Sequence, residues 1–206
     1  MYMDIRDRIN ASFYGFANGD ILFDYGLNET LSKMQDHAPE IKEGLLFGTR
    51  WNYNISVRSD YGKYPLWTPE AVHMLAANND VSHLFRYDAY DFFFATRNYP
   101  FHELKPLVIS RSGFDTYFAA TTNNLHLTTV LATYSVFAIH QTDRDGNFAH
   151  EHHQNVSDIR YNRILIGSKY NYGPGVSGNA KFHSKRRSDG TVFFKCQKCV
   201  QKHDLL

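Results

Sequence analysis

Short apolar runs that end in polar residues are the feature that most constrains how this chain folds. Their continuous or alternating apolar pattern predicts β-strands. They lie at residues 13–17, 21–23, 45–55, 91–96, 107–109, 127–131 and 136–139. Apolar residues at helical spacing occur between them, at residues 27–34, 69–76 and 114–121. This alternation predicts an α/β fold, with polar residues at the strand ends where such a sheet carries its chemistry.

The length and composition indicate one domain. A chain of 206 residues, 43% of them hydrophobic, can bury one core of ordinary size and is short for two. We place this domain at residues 1–170. Residues 171–206 carry glycine, proline and clustered basic residues, which predict a loosely ordered tail with an edge strand at 191–194.

Charge and hydropathy argue against two classes of partner. The net charge is +1, from 22 basic and 21 acidic residues, so no overall field attracts nucleic acid or an anionic membrane. No apolar run approaches the ~20 residues that a membrane-spanning helix needs. We therefore expect no nucleic-acid partner and no membrane span in this chain.

Two short motifs leave alternatives open. Cys196 and Cys199 form a single Cys-x-x-Cys pair, which fits a local disulfide, two thiols, or part of a zinc site completed by nearby histidines. Asn-x-Ser/Thr triplets are glycan acceptors when a chain enters the secretory pathway. In this sequence they begin at Asn10, Asn28, Asn54 and Asn155.

The first polar cluster, Asn18-Gly19-Asp20, separates two short predicted strands. Its composition is typical of a turn. Alternatively, the Asp20 carboxylate faces a cation at the strand end, since an acid between two buried strands is costly without compensation. Arg50, at the end of a later strand, has two similar alternatives: an ordinary surface ion pair, or a planar fork that binds phosphate or carboxylate.

Three further candidates accompany the later strands. Asp91 begins an aromatic strand, where it is either a solvated acid or part of a sugar-binding wall. Asp115 lies in the first turn of a helix that follows a strand and a glycine turn, which suits either a helix cap or a ligand contact. His140 ends a strand, either as a hydrogen-bonded side chain or as a metal ligand.

The acidic and histidine-rich segment after His140 fits no metal motif. Residues 143–147 lack the order of acids and the late glutamate of an EF-hand loop, so we predict no calcium site there. His150, His152 and His153 lie in a polar stretch without strand-fixed spacing. A metal hydrolase built on these histidines and His140 is therefore the weakest of the function hypotheses.

Taken in order, the clusters resemble a known family. They are Ala17-Asn18-Gly19-Asp20-Ile21-Leu22, Leu46-Phe47-Gly48-Thr49-Arg50-Trp51-Asn52, Tyr90-Asp91-Phe92-Phe93-Phe94, Ser110-Arg111-Ser112-Gly113-Phe114-Asp115 and Ala138-Ile139-His140-Gln141. The ordered set resembles glycosyltransferase-like proteins with the nucleotide-diphospho-sugar transferase fold, the A-type glycosyltransferase architecture. It spans residues 13–147, about two thirds of the chain. The resemblance implies a mixed sheet flanked by helices.

The resemblance also implies a donor and metal site. In that architecture, an Asp-x-Asp-like motif at a strand end holds manganese or magnesium against the diphosphate of a nucleotide-sugar donor. Here Asn18 takes the place of the first acid, Asp20 is the metal or ribose contact, and His140 completes the metal site. We expect Asn18, Asp20 and Arg50 to bind the donor.

The remaining roles implied by the resemblance are catalytic. Asp115 resembles the acid that meets the acceptor or donor sugar, and Asp91 lines the same cleft. The metal neutralises the leaving diphosphate, and a carboxylate deprotonates the incoming hydroxyl. The expected partners are a nucleotide-sugar donor and a glycan or protein acceptor.

Two function hypotheses follow from this pattern. The first is transfer of a sugar from a nucleotide-diphospho-sugar to an acceptor. In the family, a βαβ nucleotide-binding half precedes the Asp-x-Asp element by some tens of residues, whereas seventeen residues precede Asn18 here, so we expect a domain truncated on its N-terminal side. The second is a non-enzymatic remnant of the fold that binds a glycan or a protein, motivated by that start and by Asn18 in place of an acid.

Overall fold

The computed structural model describes residues 2–37, 39–54, 68–77, 84–109, 111, 113–142 and 156–197. The helices within them are α1 (Tyr2–Arg8), α2 (Gly26–Asp36), α3 (Pro69–Ala77), α4 (Phe114–Asn124) and α5 (Val156–Ile166). The strands are β1 (Phe13–Ala17), β2 (Ile21–Phe23), β3 (Gly44–Gly48), β4 (Trp51–Asn54), β5 (Phe92–Thr96), β6 (Thr128–Tyr134), β7 (Ala138–Thr142), β8 (Phe182–Arg186) and β9 (Val192–Cys196). The α/β class predicted from the sequence is confirmed.

The strands form two mixed sheets. The larger sheet has the order β1-β5-β3-β6-β8-β9, in which β3, β6 and β8 run parallel and the other neighbours antiparallel. The smaller sheet has the order β2-β7-β4, with β7 antiparallel to β2 and parallel to β4. A mixed sheet flanked by helices was expected; the coarse mixed architecture is confirmed, and the division of the strands into two sheets was not predicted.

The described chain crosses from the larger sheet to the smaller one between β1 and β2, between β3 and β4, and between β6 and β7. The first two crossings lie together because β1 and β3 flank the same strand. Ala17 and Gly48 both pair with Phe92, the first residue of β5. We call the polar region formed by residues 18–20, 49–50 and 89–91 the seam.

The centre of the larger sheet is apolar on both faces. All residues of β3 are buried, as expected for a central strand that is covered on both faces and has a continuous apolar sequence. Leu45 and Phe47 pack with Phe118 of α4 on one face. Leu46 packs with Met34 of α2 on the other face.

The smaller sheet contributes to the second of these cores and has a core of its own. Ile21 of β2 belongs to the cluster that contains Leu46. Val72 of α3 packs with Ile139 of β7 in a separate cluster. The smaller sheet therefore has α3 on one side and shares apolar contacts with the larger sheet.

Local signals placed three helices correctly. The helices expected at residues 27–34, 69–76 and 114–121 correspond to α2, α3 and α4. Thr68 precedes α3 and caps its start. The Thr68 hydroxyl oxygen accepts a hydrogen bond from the Ala71 backbone N–H at 3.2 Å. None of the described helices is long and apolar enough to cross a membrane.

The prediction of a strand at residues 107–109 is wrong. The Val108 backbone N–H donates to Asn162 Oδ1 at 2.8 Å, and Asn162 Nδ2 donates to the Val108 carbonyl at 2.9 Å. Asn162, on α5, is fully buried. Its carboxamide therefore satisfies the backbone groups that a neighbouring strand would otherwise satisfy.

Residues 171–197 are more regular than the loosely ordered tail expected from the sequence. Strand β9 overlaps the edge strand predicted at 191–194 and extends to Cys196, and β8 before it was not predicted. Phe182, Ser184 and Phe194 are buried, so both strands belong to the core of the larger sheet. Cys196 is disulfide-bonded, which removes it as a zinc ligand, and Cys199 lies outside the described residues.

Leu46→Ala should show how much the central strand contributes to stability. Leu46 is fully buried between the larger sheet and its covering elements, so we expect the free energy of unfolding to fall by about 2–5 kcal/mol. Ile164→Ala on α5 is the matched control, because Ile164 is 68% exposed, and we expect a change within about 0.5 kcal/mol. Urea unfolding followed by intrinsic fluorescence measures both, and equal losses would contradict the central position of β3.

Candidate functional site

Asp91 is the buried carboxylate at the centre of the seam. Its Oδ1 accepts hydrogen bonds from Arg50 Nη1 at 2.5 Å and from Asn18 Nδ2 at 3.1 Å. Backbone hydrogen bonds join the same segments. The Asn18 N–H donates to the Asp91 carbonyl and the Asp91 N–H donates to the Gly48 carbonyl, each at 3.1 Å. Asp91 thus joins the ends of β1 and β3 to the start of β5.

Arg50 is held by three neighbours. Its Nη1 contacts Asp91, its Nε donates to Asn52 Oδ1 at 3.1 Å, and its guanidinium carbon lies 4.0 Å from the centre of the Phe85 ring. The side chain is only 12% exposed, so the ordinary surface ion pair that was one alternative does not describe it. The guanidinium is fixed in a plane and carries further N–H donors beyond the two used here.

Asn52 is a site residue that the sequence did not single out. It is buried, accepts from Arg50, and pairs with His140 in the parallel register of β4 and β7. The available signal was its position two residues after Arg50, because alternate residues of a strand share one face. Asn52 therefore links the guanidinium to the strand that carries the imidazole.

Asp20 and His140 form a second contact pair. The Asp20 Oδ2 atom lies 2.7 Å from His140 Nε2. The antiparallel register, in which Ile21 pairs with His140, brings the residue before β2 alongside the middle of β7. The hydrogen bond with His140 lowers the pKa of Asp20. The imidazole is 6% exposed and the carboxylate 52%, so Asp20 lies between His140 and the solvent.

Asp115 reaches the seam from the first turn of α4. Its Oδ2 accepts a hydrogen bond from the Tyr90 backbone N–H at 3.2 Å, so the side chain ties α4 to the residue before Asp91. Gly113, ahead of the helix, has a φ of 86°, and a Cβ there would lie 3.2 Å from the Tyr172 hydroxyl. Tyr172 therefore flanks this end of α4, which no sequence signal indicated.

The carboxyl groups at the seam differ in their proton affinity. Burial raises the pKa of Asp115, and the negative charge of Asp91 adds to this effect. Burial also raises the pKa of Asp91, against the opposing pull of the Arg50 guanidinium. Asp20, which is more exposed, has a lowered pKa. Two acids of the cluster thus hold protons more tightly than usual, and the third holds its proton less tightly.

All six candidates predicted from the sequence lie in one electrostatically coupled group. Arg50 helps to lower the pKa of Asp20, and His140 acts on Asp91 in the same direction. These effects connect the Asp20–His140 pair with the Arg50–Asp91–Asn18 group, and Asp91 in turn acts on Asp115. The residues come from segments that are up to 122 positions apart, from Asn18 to His140.

Two buried atoms of the cluster have no hydrogen-bond partner in the described structure: Asp91 Oδ2 and His140 Nδ1. A buried polar atom without a partner costs about 1–3 kcal/mol, and native proteins keep few of them. Each such atom needs a physical explanation, such as a catalytic role or a bound water or ion. The seam therefore combines fixed donors and acceptors with unused hydrogen-bonding capacity.

The hypotheses on residues 143–155, which concern the acidic loop and His150, His152 and His153, lie outside the described residues. Within the described part, no group of three or more His, Cys, Asp or Glu side chains surrounds a common point.

No protein-family model, curated protein or solved structure matches this chain. The chemistry of the seam is therefore argued from its own geometry.

Removal of either partner of the Arg50–Asp91 pair should destabilise the protein. Arg50→Met and Asp91→Asn each leave one buried partner without its counter-charge, and we expect each to lower the free energy of unfolding by about 3–5 kcal/mol. The double variant removes both charges, so its loss should be smaller than the sum of the two single losses. Urea unfolding of the four proteins measures this coupling.

The exposed pair Arg86–Asp88 provides a matched control. Its atoms approach to 2.8 Å, but the side chains are 70% and 31% exposed. The corresponding cycle should give a coupling of about 0–1 kcal/mol. Additive losses at Arg50 and Asp91 would contradict a coupled buried pair.

Asp115→Asn should change how stability depends on pH. The folded-state pKa of Asp115 lies above the ordinary value of 3.8, so the folded protein binds this proton more tightly than the unfolded chain. The associated stability is present at low pH and is lost as the pH rises from about 4 through the raised pKa. The asparagine cannot ionise, so the melting temperature of the variant relative to the parent should rise across that window. Calorimetry in steps of pH measures this, and a constant difference would refute it.

Proposed function

We propose that the seam is the donor-side cleft of an A-type glycosyltransferase-like domain, which transfers a sugar from a nucleotide-diphospho-sugar to a glycan or protein acceptor. One observation carries the proposal. Six residues that the ordered motifs nominate together are coupled at a single junction of two sheets. Residues chosen from unrelated surface turns would be scattered over the molecule.

Arg50 supports the proposal as a binder of the donor diphosphate. A guanidinium has five N–H donors, and the contacts with Asn52 and Asp91 use two of them. Its planar fork suits phosphate oxygens, and its low exposure strengthens the attraction to an anion. Asp91 keeps the fork in place, and Asn18 supports Asp91.

Asp20 and His140 are a suitable pair for a divalent cation. Carboxylate oxygen and imidazole nitrogen are both ligand types that manganese accepts, and magnesium often takes one or two protein ligands with the rest supplied by water and substrate phosphates. The exposure of Asp20 leaves its outer side open to such a substrate. The bound cation would neutralise charge on the leaving diphosphate.

Asp115 is the residue we assign to the acceptor hydroxyl. Its raised pKa gives the carboxylate a higher proton affinity than an exposed aspartate, which suits a general base. The Tyr90 N–H fixes one carboxylate oxygen, so the group is oriented before a substrate arrives. Asp115 therefore takes the proton as the hydroxyl oxygen attacks the sugar.

A thermal-shift titration tests donor binding. Manganese chloride is combined with UDP-glucose, UDP-galactose, UDP-N-acetylglucosamine or GDP-mannose, and at least one donor should raise the melting temperature by binding the folded state. Asp20→Ala and His140→Ala should lose this rise, because they remove the groups assigned to the cation. Asp36→Ala, at an exposed position of α2, is the matched control and should keep it.

A second readout separates an enzyme from a binding domain. Release of nucleoside diphosphate from the donor that gives a thermal shift should be detectable with the parent protein and lost in Asp20→Ala. A thermal shift without release or transfer would support the non-enzymatic alternative. The proposal fails as a whole if no donor stabilises the parent protein, or if the two site variants respond as the parent does.

A further inference from the structure

Asn10 begins an Asn10-Ala11-Ser12 triplet that lies outside regular secondary structure. Helix α1 ends at Arg8 and β1 begins at Phe13, so the triplet occupies the connection between them. Both Asn10 and Ser12 are exposed. An enzyme that modifies Asn10 can therefore reach the acceptor amide and the hydroxyl that such an enzyme recognises.

The Asn10 side chain has a defined orientation. Its Oδ1 accepts a hydrogen bond from Arg97 Nη1. The carboxamide nitrogen, to which an N-linked glycan is attached, is the other end of the same planar group. Arg97 therefore fixes the amide through the atom that the modification does not use.

A polar hollow of about 660 Å³ adjoins Asn10 through this same arginine. Its lining residues are Arg6, Asp7, Lys42, Glu43, Arg97 and Asn98. The charged and amide groups supply both hydrogen-bond donors and acceptors, which sugar hydroxyls can use in the same two ways. The hollow is therefore a polar surface, next to the attachment point, that the first sugars of a glycan can contact.

This hollow lies at the end of the larger sheet away from the seam. Phe13 pairs with Thr96 at one end of β1, and Ala17 pairs with Phe92 at the other. Four residue steps of a strand separate these ends, or roughly 13 Å. A glycan at Asn10 would therefore leave the seam open.

The triplet at Asn28 is a poorer acceptor in the folded chain. Asn28 is exposed on α2, but Thr30 is fully buried, and its hydroxyl donates to the Gly26 carbonyl and contacts Ser135 Oγ at 2.9 Å. The triplets at Asn54 and Asn155 include residues outside the described part of the chain. Of the two triplets that are fully described, Asn10 has the accessible hydroxyl residue.

The disulfide at Cys196 is an independent observation that points to the same compartment. Disulfides form and persist where the environment is oxidising, as in the secretory pathway, and are rare where thiols are kept reduced. That pathway is also where asparagine triplets receive glycans. The oxidised cysteine and the exposed triplet thus agree with each other.

We propose that Asn10 is N-glycosylated and that the first sugars of the glycan rest in the polar hollow lined by Arg97. The sugar donor would be an oligosaccharide attached to a lipid diphosphate, and the transfer would be catalysed by an enzyme of the cell that makes this protein. A bond forms between Asn10 Nδ2 and C1 of the sugar, and the bond from C1 to the diphosphate oxygen breaks. The diphosphate leaves with the bonding electron pair, and the amide nitrogen gives up one proton. The proposal does not depend on the activity assigned to the seam.

Peptide mapping tests the modification. The full chain isolated from its own cells is treated with peptide N-glycosidase, which converts a glycosylated asparagine to aspartate, and the Asn10 peptide should show that conversion. In a eukaryotic secretory host, Asn10→Gln and Ser12→Ala should both lose this glycan. Ser12→Thr, the conservative variant, should retain it, and so should Asn28→Gln. An unmodified Asn10 peptide in the protein from its own cells would overturn the proposal.

A comparison of melting temperatures tests the hollow. Protein trimmed enzymatically to the first sugar should melt at a higher temperature than the Asn10→Gln variant trimmed in the same way. In an Arg97→Ala background, mass spectrometry should find the sugar still attached, and the temperature difference should be lost. Arg160→Ala, an exposed arginine on α5, is the matched control and should preserve the difference. An unchanged difference in the Arg97→Ala background would show that the sugars do not rest in the hollow.

Discussion

The contact between Arg50 and Asp91 is the interaction on which the junction of the two sheets depends. Both side chains are almost excluded from solvent, so each charge needs the other to offset the cost of leaving water. The pair also fixes geometry. Asp91 immediately precedes β5 and contacts Asn18, the residue after β1. Arg50 lies between β3 and β4 and contacts Asn52 of β4, the strand that pairs with β7. One ion pair thus sets the relative position of four strands.

The same junction carries buried polar groups that lower stability. Asp91 and His140 each keep one buried atom without a described partner, and burial raises the pKa of Asp91 and Asp115. A structure optimised only for stability would replace such groups with packed apolar side chains. Natural proteins depart from that rule mainly at functional sites. This departure is the physical reason for assigning chemistry to the seam rather than to the apolar centre of the sheet.

The sequence predicted the elements, and which polar residues lie close together, better than the contacts between those residues. Thr68 marks the start of α3 because a helix cap is a local signal. Asn162 could not be recognised as the partner of Val108, since the two are 54 positions apart and only the fold brings them together. Strand β8 was missed because Lys185 and Arg186 conceal the alternation of its buried residues. Asp20, Arg50, Asp91 and His140 were found by their places at predicted strand ends and Asp115 by its place in the first turn of a helix, whereas the pairing of Asp20 with His140 depends on the register of β2 and β7.

The order of the strands along the chain affects how this protein folds during synthesis on the ribosome. Strand β1 is made before its partner β5, which follows about 80 residues later, with Phe13 pairing with Thr96. The separation between β2 and its partner β7 is longer still, because Ile21 pairs with His140. Closing such long loops costs conformational entropy before the strand contacts can form and stabilise the structure, and this slows folding. Strands β1 and β2 therefore leave the ribosome before their partners, as unpaired strand sequence that chaperones can cover during synthesis.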